Sequence, residues 1–411
     1  MVLSLFGVRF ATLNRQRTLR SGTHLIRKIV NQARAYAWGS TTLIPYYFNL
    51  PATGAPMAEI WFGTHAGSLP RVAGTEQDLL AFRDGKQLPF LLKILAAGGP
   101  LSIQAHPNKE QALAGFEREN ALGLALDDPN RNYRDDHHKP EMLVALTPFL
   151  ALTGFRPLVD IMVSFQRIVM QAQNLELRVL ETAAADWVQV LRQSGIEVLF
   201  SGLLNRPENL AEACEQLAVL AEASRGNQNV ESQNLAIVPS LQSKYPGDPG
   251  VVISQLLNLI ELAPMQAVEL AAGNVHCYLE GLGVEIMASS DNVLRGGLTQ
   301  KHIDVTELRN IVDFSTLEIE PLEAATEVNG LYRYPSEAED YLLYRVEVGG
   351  QNLLADLTLA NDSIVICTAG ELAVGDSTGE REVLHKGEAA YLSGAKFYSF
   401  SGAGTAFLAT S

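Results

Sequence analysis

The sequence predicts a mainly β protein whose strands are interrupted by a block of helices. Short apolar runs, rich in branched and aromatic residues and separated by Gly and Pro, fill most of residues 25–155 and return from about residue 268 to the end. Between them, residues 158–240 carry apolar positions at helical spacing. The chain of 411 residues is 47% hydrophobic and 19% charged, which is typical of a globular protein of two or three domains.

The first 24 residues are expected to lie outside this fold. No acidic residue precedes Glu59, whereas seven Lys and Arg residues do. An Arg-rich, acid-poor start is typical of a transit peptide. An upstream start codon, or added residues ahead of a domain that begins near Leu25, is the simpler explanation. Under either interpretation, residues 1–24 form an N-terminal extension.

The first β region contains one predicted helix. Residues 108–122 have helical spacing, with Asn108 as the N-cap and Glu110 and Glu117 on the polar side. An Asp-rich loop follows, and a strand pattern then returns. The strand-like runs of this region are AEIWFGTH (58–65), LPFLLKILAAGGPLSIQAH (88–106) and MLVALTPFLALTGF (142–155).

The helical block is predicted to contain four or five helices. It ends at the turn cluster YPGDPG (245–250), after which VVISQLLNLIELAP (251–264) begins the return to strands. From residue 268 onwards the apolar residues alternate with period two, and Gly turns recur roughly every 8–12 residues. That pattern predicts a β-sandwich or jelly roll. Its last part, about 325–411, contains only His385 and is expected to be structural, without a metal.

Composition excludes several classes of function. The net charge of -15 argues against binding to nucleic acid or to an anionic membrane. The three cysteines form neither a disulfide framework nor a CxxC pair, which fits a reducing cytoplasm. No apolar run approaches the roughly 18 residues of a membrane span. The sequence also has no Walker-A loop, no G-x-G-x-x-G and no G-x-S-x-G.

Three separate segments offer metal-binding side chains. Gln104 and His106 are two residues apart on a predicted strand, so their side chains share a face about 7 Å apart. Glu141 follows Pro140 at the entry to a strand, and His276 lies on another strand. Together they would make a low-charge, four-ligand site suited to zinc. Taken singly, each is more often an ordinary hydrogen-bonded residue, so the residues alone indicate no more than a candidate mononuclear site in a β-barrel.

Cations lie close to these segments in the sequence. Lys93 stands in an apolar strand, Lys139 lies two residues before Glu141, and Arg295 follows the turn SSDN. A lysine in such a strand is normally at an edge with its ammonium in water; pointing inward, it must find an anion. A phosphate group would serve all three cations.

Six long motifs together resemble type I mannose-6-phosphate isomerases. The resemblance runs in order from about Ile26 to the C-terminus. The motifs are YAWGS (36–40), EIWFGTHAGSLP (59–70), LSIQAHPNK (101–109), DDHHKPEM (135–142), YPGDPGVV (245–252) and GNVHCYLEGLGVEIMASSDNVLRGGLTQKHIDV (273–305). The departures are His137, where the family usually has asparagine, and Ala66, where it has proline.

The resemblance implies a zinc-dependent aldose–ketose isomerase that interconverts mannose 6-phosphate and fructose 6-phosphate. It implies cupin-type jelly rolls, two in number, with an inserted helical domain. The expected divisions are a catalytic jelly roll (25–157 and 245–324), the helical domain (158–244) and a C-terminal jelly roll (325–411). A monomer with one Zn2+ per chain, acting on a small sugar phosphate in the cytoplasm, is expected.

The resemblance also assigns site residues. It implies zinc ligands at Gln104, His106, Glu141 and His276. The family's catalytic arginine falls on Arg295, further polar positions of the family's site fall on Lys139 and Glu285, and Asp291 lies beside them. Lys93 and Ser102 match positions that line the same pocket.

The reaction suggests roles for these residues. A proton must move between C2 and C1 of the open-chain sugar through an enediolate, whose charge zinc and Arg295 would stabilise. We expect Lys139 to shuttle this proton, because neighbouring cations would favour its neutral form and would weaken Glu285 as a base. Glu285 or Asp291 would then serve in orientation or ring opening, and Lys93 and Ser102 in phosphate binding.

Two other classes of function are compatible with a jelly roll that holds a metal. Iron-dependent dioxygenases prefer two histidines and one carboxylate with open positions, whereas the additional Gln104 favours a redox-inert metal. A sugar-binding module without catalysis would not need Lys139 and Arg295 beside the ligands.

Overall fold

The structure is a computed structural model that describes residues 8–10, 26–226, 230–316, 318–349, 354–394 and 396–411. Its strands, in chain order, are Val8–Phe10 (β1), Ile26–Val30 (β2), Glu59–Phe62 (β3), Arg71–Val72 (β4), Phe90–Ala97 (β5), Gln104–Ala105 (β6), Glu141–Ala145 (β7), Phe149–Phe155 (β8), Leu257–Leu262 (β9), Ala267–Leu270 (β10), His276–Ala288 (β11), Leu294–Arg295 (β12), Ala325–Val328 (β13), Leu331–Arg333 (β14), Leu342–Val348 (β15), Leu354–Leu359 (β16), Ser363–Asp376 (β17), Arg381–His385 (β18), Ala389–Leu392 (β19) and Lys396–Thr410 (β20).

The helices are Leu43–Phe48 (α1), Leu79–Phe82 (α2), Lys109–Ala121 (α3), Leu158–Asn174 (α4), Arg178–Leu204 (α5), Leu210–Ala223 (α6), Val230–Ala236 (α7), Val238–Lys244 (α8), Pro249–Ile253 (α9) and Val305–Ile311 (α10). None of them, within the described ranges, is both long and apolar enough to cross a bilayer.

The strands of the described ranges form two antiparallel sheets, which confirms the prediction of a sheet-rich protein. Nine described strands make up the first sheet, which contains the order β10-β7-β11-β5-β3, with β6, β8, β9 and β12 attached around β11. Eleven described strands make up the second, which is built mainly from the C-terminal part of the chain, around β17 and β20. A shared apolar core joins them, since Phe90 and Ile286 of the first sheet pack in one cluster with Ile366 and Phe407 of the second.

Helices α4 to α9 follow one another between β8 and β9, as the helical spacing predicts. They pack on the first sheet, where the rings of Phe155 and Phe200 meet edge to face at 5.8 Å. The predicted turn cluster is in part a further short helix, Pro249–Ile253. Asp248 caps it by accepting from the backbone N–H of Gly250, and proline suits a first helical position.

Helix α3 begins where the sequence predicts. The side chain of Asn108 accepts from the backbone N–H of Gln111, and the Gln111 side chain accepts from that of Asn108. This reciprocal capping box satisfies two of the N–H groups that a helix start leaves unpaired.

The N-terminal segments differ from the expected divisions. Strand Val8–Phe10 lies inside the predicted extension yet pairs with Leu357–Leu359, so for these three residues the expectation that 1–24 stays outside the fold is wrong. Among the described strands, β16 otherwise pairs only with β20, and an edge strand offers free backbone groups to such a partner. Strands Ile26–Val30 and Arg71–Val72, expected in the catalytic unit, belong to the second sheet.

Candidate metal centre and active-site cleft

Three buried side chains converge at one end of the first sheet. His106 lies just beyond β6, Glu141 begins β7 and His276 begins β11. One potential ligand atom from each lies within 4.8 Å of the others, and each residue is at most 2% exposed. Among the residues the structure describes, this is the one group of three or more His, Cys, Asp or Glu side chains with such spacing.

Both histidines present a nitrogen lone pair to the carboxylate. His106 Nδ1 lies 2.7 Å from the carbonyl oxygen of Asn292, and His276 Nδ1 lies 3.0 Å from that of Asn274. A ring N–H donated to a carbonyl leaves Nε2 without a proton, which is the form that ligates a metal. Burial, with Lys139 nearby, lowers the pKa of His106 to about 4, so its ring stays neutral at pH 7.

The arrangement leaves polar atoms that a cation would satisfy. The Nε2 atoms of His106 and His276 lie 3.5 and 3.4 Å from the Glu141 carboxylate, and neither ring has a proton on that side to donate. His106 Nε2 and Glu141 Oε2 are buried without a hydrogen-bond partner. Buried unpaired polar atoms are costly. A divalent ion among imidazole and carboxylate ligands removes that cost, and this donor set suits zinc.

Gln104 completes the predicted set. It is the strand partner of His276, and its Nε2 lies 3.2 Å from His276 Nε2. Because the amide nitrogen and oxygen are near-equivalent in shape, a rotated amide would present its oxygen at the same place. The structure therefore places Gln104 beside His276, one member of the His106–Glu141–His276 group.

Lys139 contacts the metal-facing carboxylate directly. Its Nζ lies 3.0 Å from Glu141 Oε1, and both residues are buried. Burial alone would raise the pKa of Glu141, but the positive charge of Lys139 holds it well below its ordinary value. The expectation that neighbouring cations favour the neutral form of Lys139 did not take this carboxylate into account.

Lys93 points inward and is neutralised by protein carboxylates. Its Nζ lies 2.7 Å from Glu285 Oε2 and 3.8 Å from Glu59 Oε1. Burial would lower the pKa of Lys93, but Glu285 and Glu59 outweigh it and raise the pKa. Burial is also the largest influence on Glu285, whose pKa is raised although Lys93 opposes the shift. These contacts occupy the ammonium that we expected to bind phosphate. Burial, against the effect of Lys93, makes Glu285 a stronger base than expected.

A cleft of about 590 Å³ joins these groups. Every predicted site residue except the two buried histidines lines it, and Tyr245 from the end of the helical block forms part of its wall. The predicted members are Lys93, Ser102, Gln104, Lys139, Glu141, Glu285, Asp291 and Arg295.

Cations collect beside the metal end of the cleft. Arg295 is the partner of Gln104 across β12 and β6, and Lys301 lines the same cleft. Burial, followed by the charge of Arg134, lowers the pKa of Arg295; burial, Arg295 and Arg134 lower that of Lys301. Within the described ranges, neither Arg295 nor Lys301 has a carboxylate within salt-bridge distance. This end of the cleft is therefore suited to an anion.

Asn292 connects the two loops that carry the site. Its side-chain oxygen accepts from the backbone N–H of Arg134, and its amide donates to the carbonyl of His137. Its own carbonyl accepts from His106. The His137 side chain is 67% exposed and pairs with Asp136, so the departure from asparagine at 137 does not reach the ligands.

Sequence reasoning missed several residues of the cleft. Glu59, Trp61, His65, Tyr278 and Lys301 all line it. Tyr278 could have been predicted in the same way as Gln104 and His106, because it lies two residues after His276 on one strand and their side chains therefore share a face. His138 and His302 do not join the metal group; His138 instead pairs with Asp340 at 2.7 Å.

Comparison with known proteins gives one consistent result. The model of the phosphomannose isomerase type I catalytic domain matches residues 26–158. The mannose-6-phosphate isomerase of Salmonella typhimurium is 35% identical over 407 residues, covering 93% of this chain and 98% of that protein. The Escherichia coli enzyme is 33% identical over 390 residues, covering 89% and 94%.

Solved structures agree. A crystal structure of zinc-bound mannose 6-phosphate isomerase superposes with a TM-score of 0.80 at 33% identity, covering 94% of this chain and 99% of that one. A variant of the Salmonella typhimurium enzyme gives a TM-score of 0.82 at 32% identity, with the same coverage. With this metal group, this cleft and these relatives over nearly its whole length, the chain belongs to the type I phosphomannose isomerase family.

Proposed function

We propose that this protein interconverts D-mannose 6-phosphate and D-fructose 6-phosphate, with one zinc ion held by Gln104, His106, Glu141 and His276. The observation that carries the proposal is that one cleft is lined by Glu141 of the buried His–Glu–His group and by two cations, Arg295 and Lys301, that have no carboxylate partner among the described residues. Zinc bound there would act as a Lewis acid that stabilises negative charge on a sugar oxygen.

The phosphate has a natural place in this cleft. We place it against Lys301 and the hydroxyl of Ser102, with Arg295 next to Gln104 and therefore close to the sugar oxygens. Fixing the phosphate holds C1 and C2 in one orientation relative to the metal ligands, which converts binding energy into orientation. Lys93 is a weaker candidate for the phosphate than before, because Glu285 and Glu59 already neutralise it.

Two groups compete for the proton transfer between C1 and C2. Lys139 remains our first proposal, although its contact with Glu141 ties it to the metal ligands. Glu285 is the second, because burial raises its pKa and brings a carboxylate closer to the ideal of a base near neutral pH. Asp291, at the mouth of the cleft, is proposed for orientation or ring opening. Near-normal turnover of Lys139→Met, together with inactivity of Glu285→Gln, would transfer the role to Glu285.

The decisive experiment is a coupled assay of fructose 6-phosphate formation from mannose 6-phosphate. Activity is expected in the zinc-loaded protein, lost on chelation and restored by zinc. An inactive zinc-loaded protein would overturn the proposal. Oxygen consumption by the iron-loaded protein would favour a dioxygenase, and sugar binding without turnover would favour a binding module.

The finer architecture is part of the proposal. We propose two cupin-type jelly rolls, 25–157 with 245–324 and 325–411, the second completed by strands β2 and β4 of the first segment, and a helical domain at 158–244. The antiparallel pairing and the position of α4 to α9 between β8 and β9 support it. We also propose a cytoplasmic monomer; the three free, buried cysteines support a reducing compartment.

A further inference from the structure

One histidine of the cleft has contacts that fix its chemical form. His65 lies in the loop after β3, and the backbone N–H of Gly67 donates to its Nδ1 at 3.1 Å. Its Nε2 lies 3.3 Å from Asp291 Oδ2. Because Nδ1 accepts, the neutral ring carries its proton on Nε2, where it is donated to the carboxylate.

The surroundings hold this ring in place. The rings of His65 and Trp61 meet edge to face at 5.2 Å, and the indole N–H of Trp61 donates to Glu59 at 2.8 Å. A Cβ at position 67 would lie 3.1 Å from both His65 and Trp61, so glycine lets the backbone approach the ring. The guanidinium of Arg34 covers the Trp61 ring at 4.6 Å.

Asp291 presents its carboxylate to the cleft from a fixed backbone. Its N–H donates to Asp135 Oδ2 at 2.7 Å, and its side chain is 50% exposed. The hydrogen bond from His65 is the largest influence on Asp291; burial opposes it, and Lys139 and Arg134 add smaller attractions, so the pKa of Asp291 is lowered. Of His65, Lys139 and Arg134, it is His65 that contacts the Asp291 carboxylate oxygen, and the opposite nitrogen of its ring is held by the N–H of Gly67.

We propose that His65 is a positioning residue for Asp291: its Nε2–H holds the carboxylate ionised and aimed into the cleft. This inference rests on the function proposed for the site. Both roles proposed for Asp291 need the ionised form, because only it accepts hydrogen bonds with both oxygens or takes the proton of the anomeric hydroxyl. His65 itself touches no reacting atom.

The first test does not depend on activity. In zinc-loaded protein, 13C NMR of side-chain carboxyls, assigned by difference from Asp291→Asn, gives the titration of Asp291. We expect His65→Leu to raise the Asp291 pKa and His65→Gln, which keeps an N–H donor, to restore most of the shift. An unchanged Asp291 titration in His65→Leu would overturn the inference. The titration of Asp291 can be measured even if the zinc-loaded protein isomerises no sugar, so a failure of this inference is distinguishable from a failure of the proposed function.

The second test separates positioning from general damage. At pH 7, His65→Leu is expected to lower kcat/KM about tenfold, as for a lost hydrogen bond to a charged group, and His65→Gln to recover most of that loss. In an Asp291→Asn background, His65→Leu should have no further effect, because the two residues act as one unit. An equal loss in both backgrounds would overturn the inference.

A matched control lies elsewhere in the chain. His385 forms a comparable pair with Glu371 at 2.9 Å, but both side chains are 61% exposed. His385→Leu should leave kcat/KM within twofold of the unsubstituted protein. A tenfold loss there would mean that any lost histidine–carboxylate pair has this effect, and would overturn the assignment to His65.

Discussion

The two sheets of this protein are both antiparallel, but the first buries charged side chains and the second does not on its described strands. The first sheet and its adjoining loops bury Glu59, Lys93, Glu141, His276 and Glu285. In the second, the buried polar side chains on the described strands are Ser363, Thr368 and Thr410, and none carries a charge. Its histidine, His385, is exposed.

The second sheet therefore contributes to stability alone, whereas the first also carries the residues of the candidate active site. The second sheet encloses an apolar cluster that includes Phe400 and Leu408, where burial contributes stability without further conditions. In the first sheet each buried charge depends on a partner, because a charge left alone in the interior costs several kcal/mol. Damage to the first sheet should therefore affect activity, and damage to the second only stability.

The largest effect is expected at the metal centre. Glu141→Gln removes the charge that faces both histidines, so zinc content should fall and activity should drop on the order of a thousandfold, since Lewis-acid stabilisation is worth several kcal/mol. Metal analysis and the coupled assay measure both. The matched control is Thr368→Val in the second sheet, which should retain one zinc per chain. Full zinc occupancy with normal turnover in Glu141→Gln would remove Glu141 from the site.

The next effect concerns the buried ion pair of the first sheet. Lys93→Met leaves Glu285 and Glu59 without their cation and should reduce the free energy of unfolding by about 3–5 kcal/mol. Urea denaturation of the zinc-loaded protein measures it. Adding Glu285→Gln to the same chain should recover part of the lost free energy of unfolding, because one of the two unpaired buried charges is then removed. A loss below about 1 kcal/mol would mean that water reaches these groups.

Phe400→Ala provides the counterpart in the second sheet. Phe400 is fully buried, and its truncation should reduce the free energy of unfolding by about 3–5 kcal/mol through a lost side chain and a cavity. Unlike Lys93→Met, it should leave KM and zinc affinity unchanged at 25 °C. A changed KM would show that the two sheets are coupled and would break the comparison.

A smaller effect is expected from the loop support of His106. Asn292→Ala removes the side chain that ties the two loops together and should lower zinc affinity about 10–100-fold, the usual cost of losing a group that orients a metal ligand. Competition with a chelating dye measures it. Asn292→Asp keeps the acceptor but not the donors and should fall between. Unchanged affinity in Asn292→Ala would show that the backbone alone holds His106.

The smallest effect is expected at the position that departs from the family pattern. His137→Asn should change kcat/KM less than twofold, because the exposed side chain pairs with Asp136 and, at 4.0 Å, with Asp135, and the backbone carbonyl makes the contact to Asn292. The coupled assay decides. A tenfold change would give the His137 ring a part in the reaction.

Local signals predicted a large share of the elements. The Asn108 capping box, the helical spacing after residue 158 and the period-two runs of the C-terminal region all correspond to elements of the structure. Such signals involve neighbours a few residues apart. They failed at Pro249–Ile253, where Pro and Gly indicated a turn but the Asp248 cap starts a helix.

The sequence by itself determined the element types and the kinds of side chain available as ligands. Only the tertiary structure decided which side chains meet. Lys93 and Glu285 are 192 residues apart, and the register of β5 on β11 places them opposite each other. Period two tells which face a side chain takes, but its neighbour depends on the register of long-range pairing, and a one-residue slip would reverse every face. The partners of Lys93, Lys139 and His65 therefore emerged only from the folded chain.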